Sequence, residues 1–204
     1  MDVDHFLTIQ SPSKGFFKEK GSRFLSYAFP VTNENQIHAI LEDLRKQYHD
    51  ARHHCYAWKL GTGPSHFRSN DDGEPCNSAG KPILGQILSF QLTNVLVIVV
   101  RYFGGTLLGV GGLIQAYKAA TMDALKNARI IQQFVMVGYK LTFRYEEMNR
   151  VMKVLKDLNP EQWDQRFELD CELKLKIKKT DEKLLLKAFK HGSSVKLETL
   201  PEIE

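Results

Sequence analysis

Apolar and polar positions set out two successive blocks of regular structure. Residues 16–30, FFKEKGSRFLSYAFP, hold two extended runs around Gly21–Ser22 and predict a hairpin. Asn33 or Asn35 is placed to cap a helix whose apolar positions Ile37, Ile40, Leu41 and Leu44 recur at helical spacing. Residues 53–60, HHCYAWKL, read as a strand, and 61–82 as a long ordered loop rich in Gly, Pro, Ser, Asn and Asp. A helix is predicted after Pro82, with Ile83, Leu84, Ile87 and Leu88 facing the core. NVLVIVVRYF, 94–103, predicts a central strand buried on both faces. GGTLLGVGG then leads into a helix from about Gly111 to Asn127, where Ala116, Ala119, Ala120 and Ala124 permit close packing on a sheet.

The second block predicts a strand over 131–144 and a helix over 145–158, with Met148, Val151, Met152 and Leu155 on one face and Asn159–Pro160 as its stop. Strands follow at 162–169 and 171–178. In the latter, Cys171, Leu173, Leu175 and Ile177 alternate with Glu172, Lys174, Lys176 and Lys178. A helix over 181–190 ending at His191–Gly192, and a strand over 194–200, complete a β-α-β-β-α-β order, the split ferredoxin-like arrangement. The fold class expected is α+β in two domains, 1–130 and 131–204, with the boundary near Ile130–Phe134.

Length and composition fit two globular domains: 204 residues, 43% hydrophobic and 25% charged, which argues against disorder. The net charge of +4 does not demand nucleic acid, but many lysines fall in 171–196, and a local basic surface attracts phosphate without a high total charge. Three cysteines, Cys55, Cys76 and Cys171, form no disulfide framework and suit a reducing cytosol. The acidic start MDVDHFLTIQ lacks an apolar signal core, and Val95–Val100 is too short to span a bilayer, so the expectation is a cytoplasmic protein with no membrane association.

Three blocks carry a family likeness: ARHHCYAWKLG (51–61), FRSNDDGEPCNSAGKPIL (67–84) and NVLVIVVRYFGGTLLGVGGLIQAY (94–117). Together they resemble the IMPACT/YigZ pattern of a His-x-Cys-aromatic-Ala strand, an Arg-Ser-x-Asp-Asp-Gly-Glu-Pro loop and a glycine block after Arg-Tyr-Phe. Two positions depart from it: Leu107 stands where members often have Lys, and Val110 where they often have Ala. The resemblance implies a first domain with the β-α fold of elongation factor G domain IV and a tail like the ferredoxin-like domain V of the same factor. It also implies a link to translational control, which eukaryotic relatives exert through protein partners. It implies no assigned reaction.

Four groups of residues carry candidate chemistry. In the glycine block, Gly104, Gly105, Thr106, Gly109, Gly111 and Gly112 join a strand to a helix start. Backbone N–H groups and the helix dipole there favour an anion, and Arg101 is placed to assist. The alternative is that these glycines permit tight turns and close packing. Asp71, Asp72 and Glu74 offer acid–base or cation chemistry, or else form a turn that hydrogen-bonds its own backbone or pairs with Arg68 or Arg101. His53 and Cys55 share a strand face while His54 points to the other; two ligands fall short of a zinc set, so no metal is assigned. Lys174, Lys176 and Lys178 project together as a nucleic-acid candidate, or as a solvated face that protects a strand edge.

No catalytic residue and no cofactor is identified. The readings left open are a translation-linked factor contacting RNA, the ribosome or a protein partner; an enzyme acting on a small phosphorylated substrate at the glycine turn; and a protein-docking module. The sequence leaves the oligomeric state unassigned.

Overall fold

A computed structural model describes residues 4–189 and 194–200. It is a mixed α/β structure of two compact units, Phe6–Gln133 and a second from Phe134 onward that includes Asp4 and His5. The expected helix stop at His191–Gly192 lies outside the described residues.

The first unit is built on a five-stranded antiparallel sheet. Its strands are β2 (Ser13–Glu19), β3 (Ser22–Pro30), β4 (His53–Lys59), β5 (Phe67–Asn70) and β6 (Val95–Tyr102), in the order β2-β3-β6-β4-β5. β2 and β3 form the expected hairpin, with Lys20 and Gly21 at its tip in left-handed conformation (φ 43° and 79°). β1 (His5–Ile9) and β7 (Ile130–Phe134) pair separately in a two-stranded ribbon.

β6 explains its uninterrupted apolar run by being covered on both sides, although its sheet is antiparallel. Val95, Val97 and Val99 face α2 (Gly80–Ser89) and α3 (Gly109–Lys126). Leu96, Ile98 and Val100 face α1 (Glu34–Gln47), which presents Ile37, Leu41 and Leu44. Asn33 caps α1 by accepting the Gln36 N–H at 2.9 Å. In α3 the small residues Ala116, Ala120 and Ala124 are fully buried, so helix and sheet approach closely.

The structure departs from three sequence expectations. The loop over 61–82 contains β5, and α2 starts at Gly80, so Pro82 sits inside its first turn, where a missing N–H costs nothing. Leu88 is 48% exposed because the buried stripe of α2 is set by Ile83, Leu84 and Ile87. The single strand expected over 131–144 is two strands, β7 and β8 (Met136–Arg144), which pair with different partners.

The second unit runs β8, α4 (Met148–Leu158), β9 (Glu161–Arg166), β10 (Asp170–Lys178), α5 (Glu182–Phe189) and β11 (Lys196–Thr199). Its sheet order is β11-β8-β10-β9, with each pair antiparallel. Cys171, Leu173, Leu175 and Ile177 bury against Val151, Leu155, Leu185 and Phe189, which puts both helices on one side of the sheet. Asn159 ends α4 in left-handed conformation (φ 46°).

Two glycines in the first unit test this packing with opposite signs. A Cβ at Gly15 would sit 2.3 Å from the Ala124 backbone nitrogen, whereas one at Gly85 on α2 would meet nothing within 4 Å. Gly15→Ala is therefore expected to destabilise by about 1–3 kcal/mol. Gly85→Ala should stabilise by about 0.5–1 kcal/mol, because alanine is the better helix former. Urea unfolding of both variants checks the pair.

Candidate functional site

The acidic turn between β5 and α2 is held by its own carboxylates. α2 begins after Ala79, whose methyl group cannot cap a helix. Asp71 supplies the missing acceptor from eight and nine residues upstream: Oδ1 receives the N–H groups of Ala79 (2.9 Å) and Gly80 (2.8 Å), and Oδ2 that of Asn77 (2.8 Å). Asp72 and Gly73 turn the chain with positive φ (42° and 86°). Asp72 Oδ2 accepts the His54 backbone N–H at 2.7 Å, and Oδ1 accepts from Arg45 at 3.2 Å. Its carbonyl lies 2.8 Å from His53 Nδ1.

This turn drives Glu74 inward. Glu74 Oε1 accepts from Arg101 Nη1 at 2.6 Å and from the Tyr117 hydroxyl at 2.7 Å. The two charged side chains are only 4% and 7% exposed. Cys55 Sγ lies within hydrogen-bond reach of both the Asp71 carbonyl (3.0 Å) and the Tyr117 oxygen (3.2 Å), with its one proton available to either. The Arg101 guanidinium lies 5.5 Å from the Phe24 ring centre and 5.8 Å from that of Phe103. Burial pushes the Cys55 thiol and the Tyr117 hydroxyl far above their ordinary ranges, so both stay protonated. Burial also holds the His54 imidazole below its usual value, against the opposing pull of Asp72. Asp71, Asp72, Glu74 and Arg101 are thus occupied by partners of the fold itself, and Cys55 is no nucleophile.

The remaining candidates scatter. Strand register puts Arg101 on the α2/α3 side of the sheet, with Cys55 and Phe24. His54, beside Val100, and Arg68, beside Trp58, share the α1 side. In the glycine block, Gly104 lies against the β2–β3 turn, where its N–H meets Ser22 Oγ at 3.1 Å and a Cβ would fall 1.9 Å from the Gly21 carbonyl carbon. Gly105 and Gly109 take positive φ (87° and 69°), and α3 starts without a side-chain cap. Thr106 and Gly111 are exposed, while Gly112 packs near Leu108. The segment is rimmed by exposed Phe103, Leu107 and Val110. A hollow of about 250 Å³ beside this helix start is lined by Phe17, Glu19, Lys20, Leu108, Gly112, Gln115 and Ala116. Gly112 alone among the candidates lines it.

On β10, Lys174, Lys176 and Lys178 do project from the face opposite the helices. The partners across the strands were hidden from the sequence. Lys174 pairs with Asp164 at 2.6 Å, Lys140 with Glu172 at 2.9 Å, and Lys176 stands opposite Glu161. Lys178 lies 4.2 Å from the centre of the Phe134 ring. Lys183 and Lys187 belong to α5 on the other side of the sheet and do not extend this row. Trp163, paired with Lys174 in register, adds an aromatic ring that strand alternation alone did not single out. Among the described residues no three His, Cys, Asp or Glu gather as a metal set, and no helix is long and apolar enough to cross a membrane.

A family model described as the Impact N-terminal domain matches residues 20–125, slightly more than half of the chain. The Escherichia coli protein described as IMPACT family member YigZ is 34% identical over 138 residues, covering 67% of this chain and 68% of its own. An IMPACT family member of Haemophilus influenzae is 33% identical over 160 residues, covering 78% of each chain. A crystal structure described as that of a hypothetical protein superposes with a TM-score of 0.74 at 26% identity, covering 98% of this chain and all of its own. It shares the two-domain arrangement.

The buried pair generates a clear mutational pattern. Glu74→Ala or Arg101→Ala should each cost about 3–5 kcal/mol, since each strands a buried charge, and Glu74→Leu combined with Arg101→Met should recover much of that loss. Denaturant titration of the three variants checks it. For His54, the folded pKa lies below the unfolded value near 6.5, so the stability it contributes is present above that pH and is lost as pH falls through the folded value. Asp72, Arg45 and His53 are the charged or titratable neighbours that bear on this titration. The melting temperature should therefore fall on acidification from pH 7 to 5 less steeply in His54→Gln than in the wild type.

Proposed function

The chain belongs to the IMPACT family, and from that premise we propose that it is a translation-linked regulatory or binding factor contacting RNA, the ribosome or a ribosome-associated protein. The observation that carries this reading is the internal engagement of Asp71, Asp72, Glu74 and Arg101, the most distinctive polar residues of the family blocks. They fix a scaffold, with Glu74 and Arg101 closed off from solvent, which favours binding over catalysis. In this reading residues 1–130 form a domain resembling elongation factor G domain IV. Residues 131–204 form a ferredoxin-like domain resembling domain V, whose fourth-first-third-second strand order supports the likeness. The protein acts in the cytoplasm. Lys176 and Lys178 of the open tail face are its candidate phosphate contacts, while Lys174 is largely neutralised by Asp164.

A second reading is an enzyme acting on a small phosphorylated substrate at the glycine turn, where Gly105 and Gly109 take positive φ and α3 starts without a side-chain cap. Thermal-shift measurements with phosphate esters and nucleotides test it, because a ligand of the folded state raises the melting temperature. An unchanged melting temperature across the series removes it.

The first reading predicts that the full chain co-sediments with ribosomes and that the bound fraction falls between about 50 and 200 mM salt. If Lys176 and Lys178 each contact a phosphate, Lys176→Ala/Lys178→Ala should lower the salt slope by about two. No co-sedimentation at any salt would remove the reading.

A further inference from the structure

The α1 side of the five-stranded sheet is only partly covered. α1 packs on Tyr56 and Trp58 of β4 and on Leu96, Ile98 and Val100 of β6. Beyond it, strand register lines up a strip in which Lys14, Phe16, Lys18 and Arg23 are open, while Tyr27 is buried and Leu25 and Tyr102 are half-buried against the α1 cluster. Lys18, Arg23 and Tyr102 form one row across β2, β3 and β6; Phe16 and Leu25 form the next; Lys14 and Tyr27 the one after. Lys14, Lys18 and Arg23 are exposed, and Phe16 is 49% exposed. The side chains that β2 and β3 present here include three cations and no carboxylate. Asp50 stands at the margin, accepting from the Tyr102 hydroxyl at 2.7 Å.

Three features suit this strip to one class of partner. Phe16 lies between Lys14 and Lys18 on the same face, each about 7 Å away along the strand. An open ring is thus flanked by two charges, the pairing that single-stranded nucleic acid uses for base stacking and backbone neutralisation. The cations are also backed by rings: Arg23 sits 4.9 Å over the Tyr102 ring and Lys14 5.6 Å over that of Tyr27, while Tyr27 and Tyr48 hydrogen-bond to each other behind them. Finally, the platform is rigid. α3 pins β2 from its edge through Asp123 Oδ2, which accepts the Phe16 N–H at 2.9 Å, and through Asn127, which donates to the Lys14 carbonyl at 2.9 Å. The exposure of the Phe16 ring therefore belongs to an anchored strand.

We propose that this β2–β3 strip binds single-stranded RNA, with Phe16 as the base-stacking ring and Lys14, Lys18 and Arg23 as the backbone contacts. The proposal rests on the translation-linked reading and adds to it a surface distinct from the tail lysines. Charge selects the occupant: a row of cations with no strand carboxylate fits a polyanion, and the interleaved ring fits one whose bases are unpaired.

The test uses the full chain and a fluorescein-labelled oligouridylate of about 12 nucleotides, within the usual site size for such surfaces. Anisotropy is read across a salt series. Phe16→Ala should weaken binding at least about five-fold, with Phe16→Tyr close to wild type. Lys18→Ala and Arg23→Ala should each lower the salt slope by about one, and Lys176→Ala/Lys178→Ala should leave the Phe16 effect unchanged. Melting curves confirm that each variant is folded. Oligouridylate binding that is indifferent to Phe16 and Arg23 would overturn the strip while leaving the broader reading intact. Ribosome or protein association without any oligouridylate binding would overturn RNA as the occupant and again spare that reading. Loss of both would remove the two together.

Discussion

The first unit depends on one buried ion pair. Glu74 arrives from the acidic turn, Arg101 from the end of the central strand, and Tyr117 from the long helix, and the three meet at a single carboxylate oxygen. A buried carboxylate and guanidinium are costly to desolvate and tolerable only when paired with good geometry. Each therefore holds the other in place and, with it, the segment that delivers it. The Asp71 cap and the left-handed Asp72–Gly73 turn aim Glu74 at this point. The family blocks that look like a reaction centre in sequence thus act as a fastening between strand, loop and helix.

The legible parts of the fold were those where burial follows a simple period. β6 could be read because both its faces are covered, and β10 because its sides alternate cleanly between core and charge. β5 was hidden because its four residues are exposed or half-buried and flanked by turn formers, so no alternation marks them. Leu88 misled for a related reason: helical spacing names an apolar stripe but not its width. The break between β7 and β8 falls at Val135, in a run whose composition does not change, and only partner choice separates the two strands.

The candidate site was legible in residue type and illegible in partnership. The sequence leaves Asp71, Asp72 and Glu74 open between reactive and turn-forming roles, and the structure engages all three in the fold. Its capping geometry reaches across eight or nine residues, beyond any short motif. The lysine face shows the same limit. Asp164 reaches Lys174 only because β9 carries a bulge there, with Asp164 itself in left-handed conformation (φ 53°). The β2–β3 strip was visible as a hairpin, but its openness depends on where α1 stops, which periodicity does not say.

The remote cap on α2 has a consequence for how this chain can vary. Asp71 closes the helix start over a fixed span, so residues 72–78 behave as a buckle of set length, although the segment is largely at the surface. The neighbouring stretch at 61–65 is closed at its ends, where the Leu60 N–H donates to the His66 carbonyl (2.9 Å) and the Gly61 N–H to Asn94 Oδ1 (2.7 Å), while a side chain added at Gly63 would meet nothing within 4 Å. Two pieces of what reads as one polar loop therefore differ in how they would take an inserted residue: at Gly63 it would extend into open space, whereas within 72–78 it would draw the Asp71 carboxylate away from the Ala79 and Gly80 N–H groups.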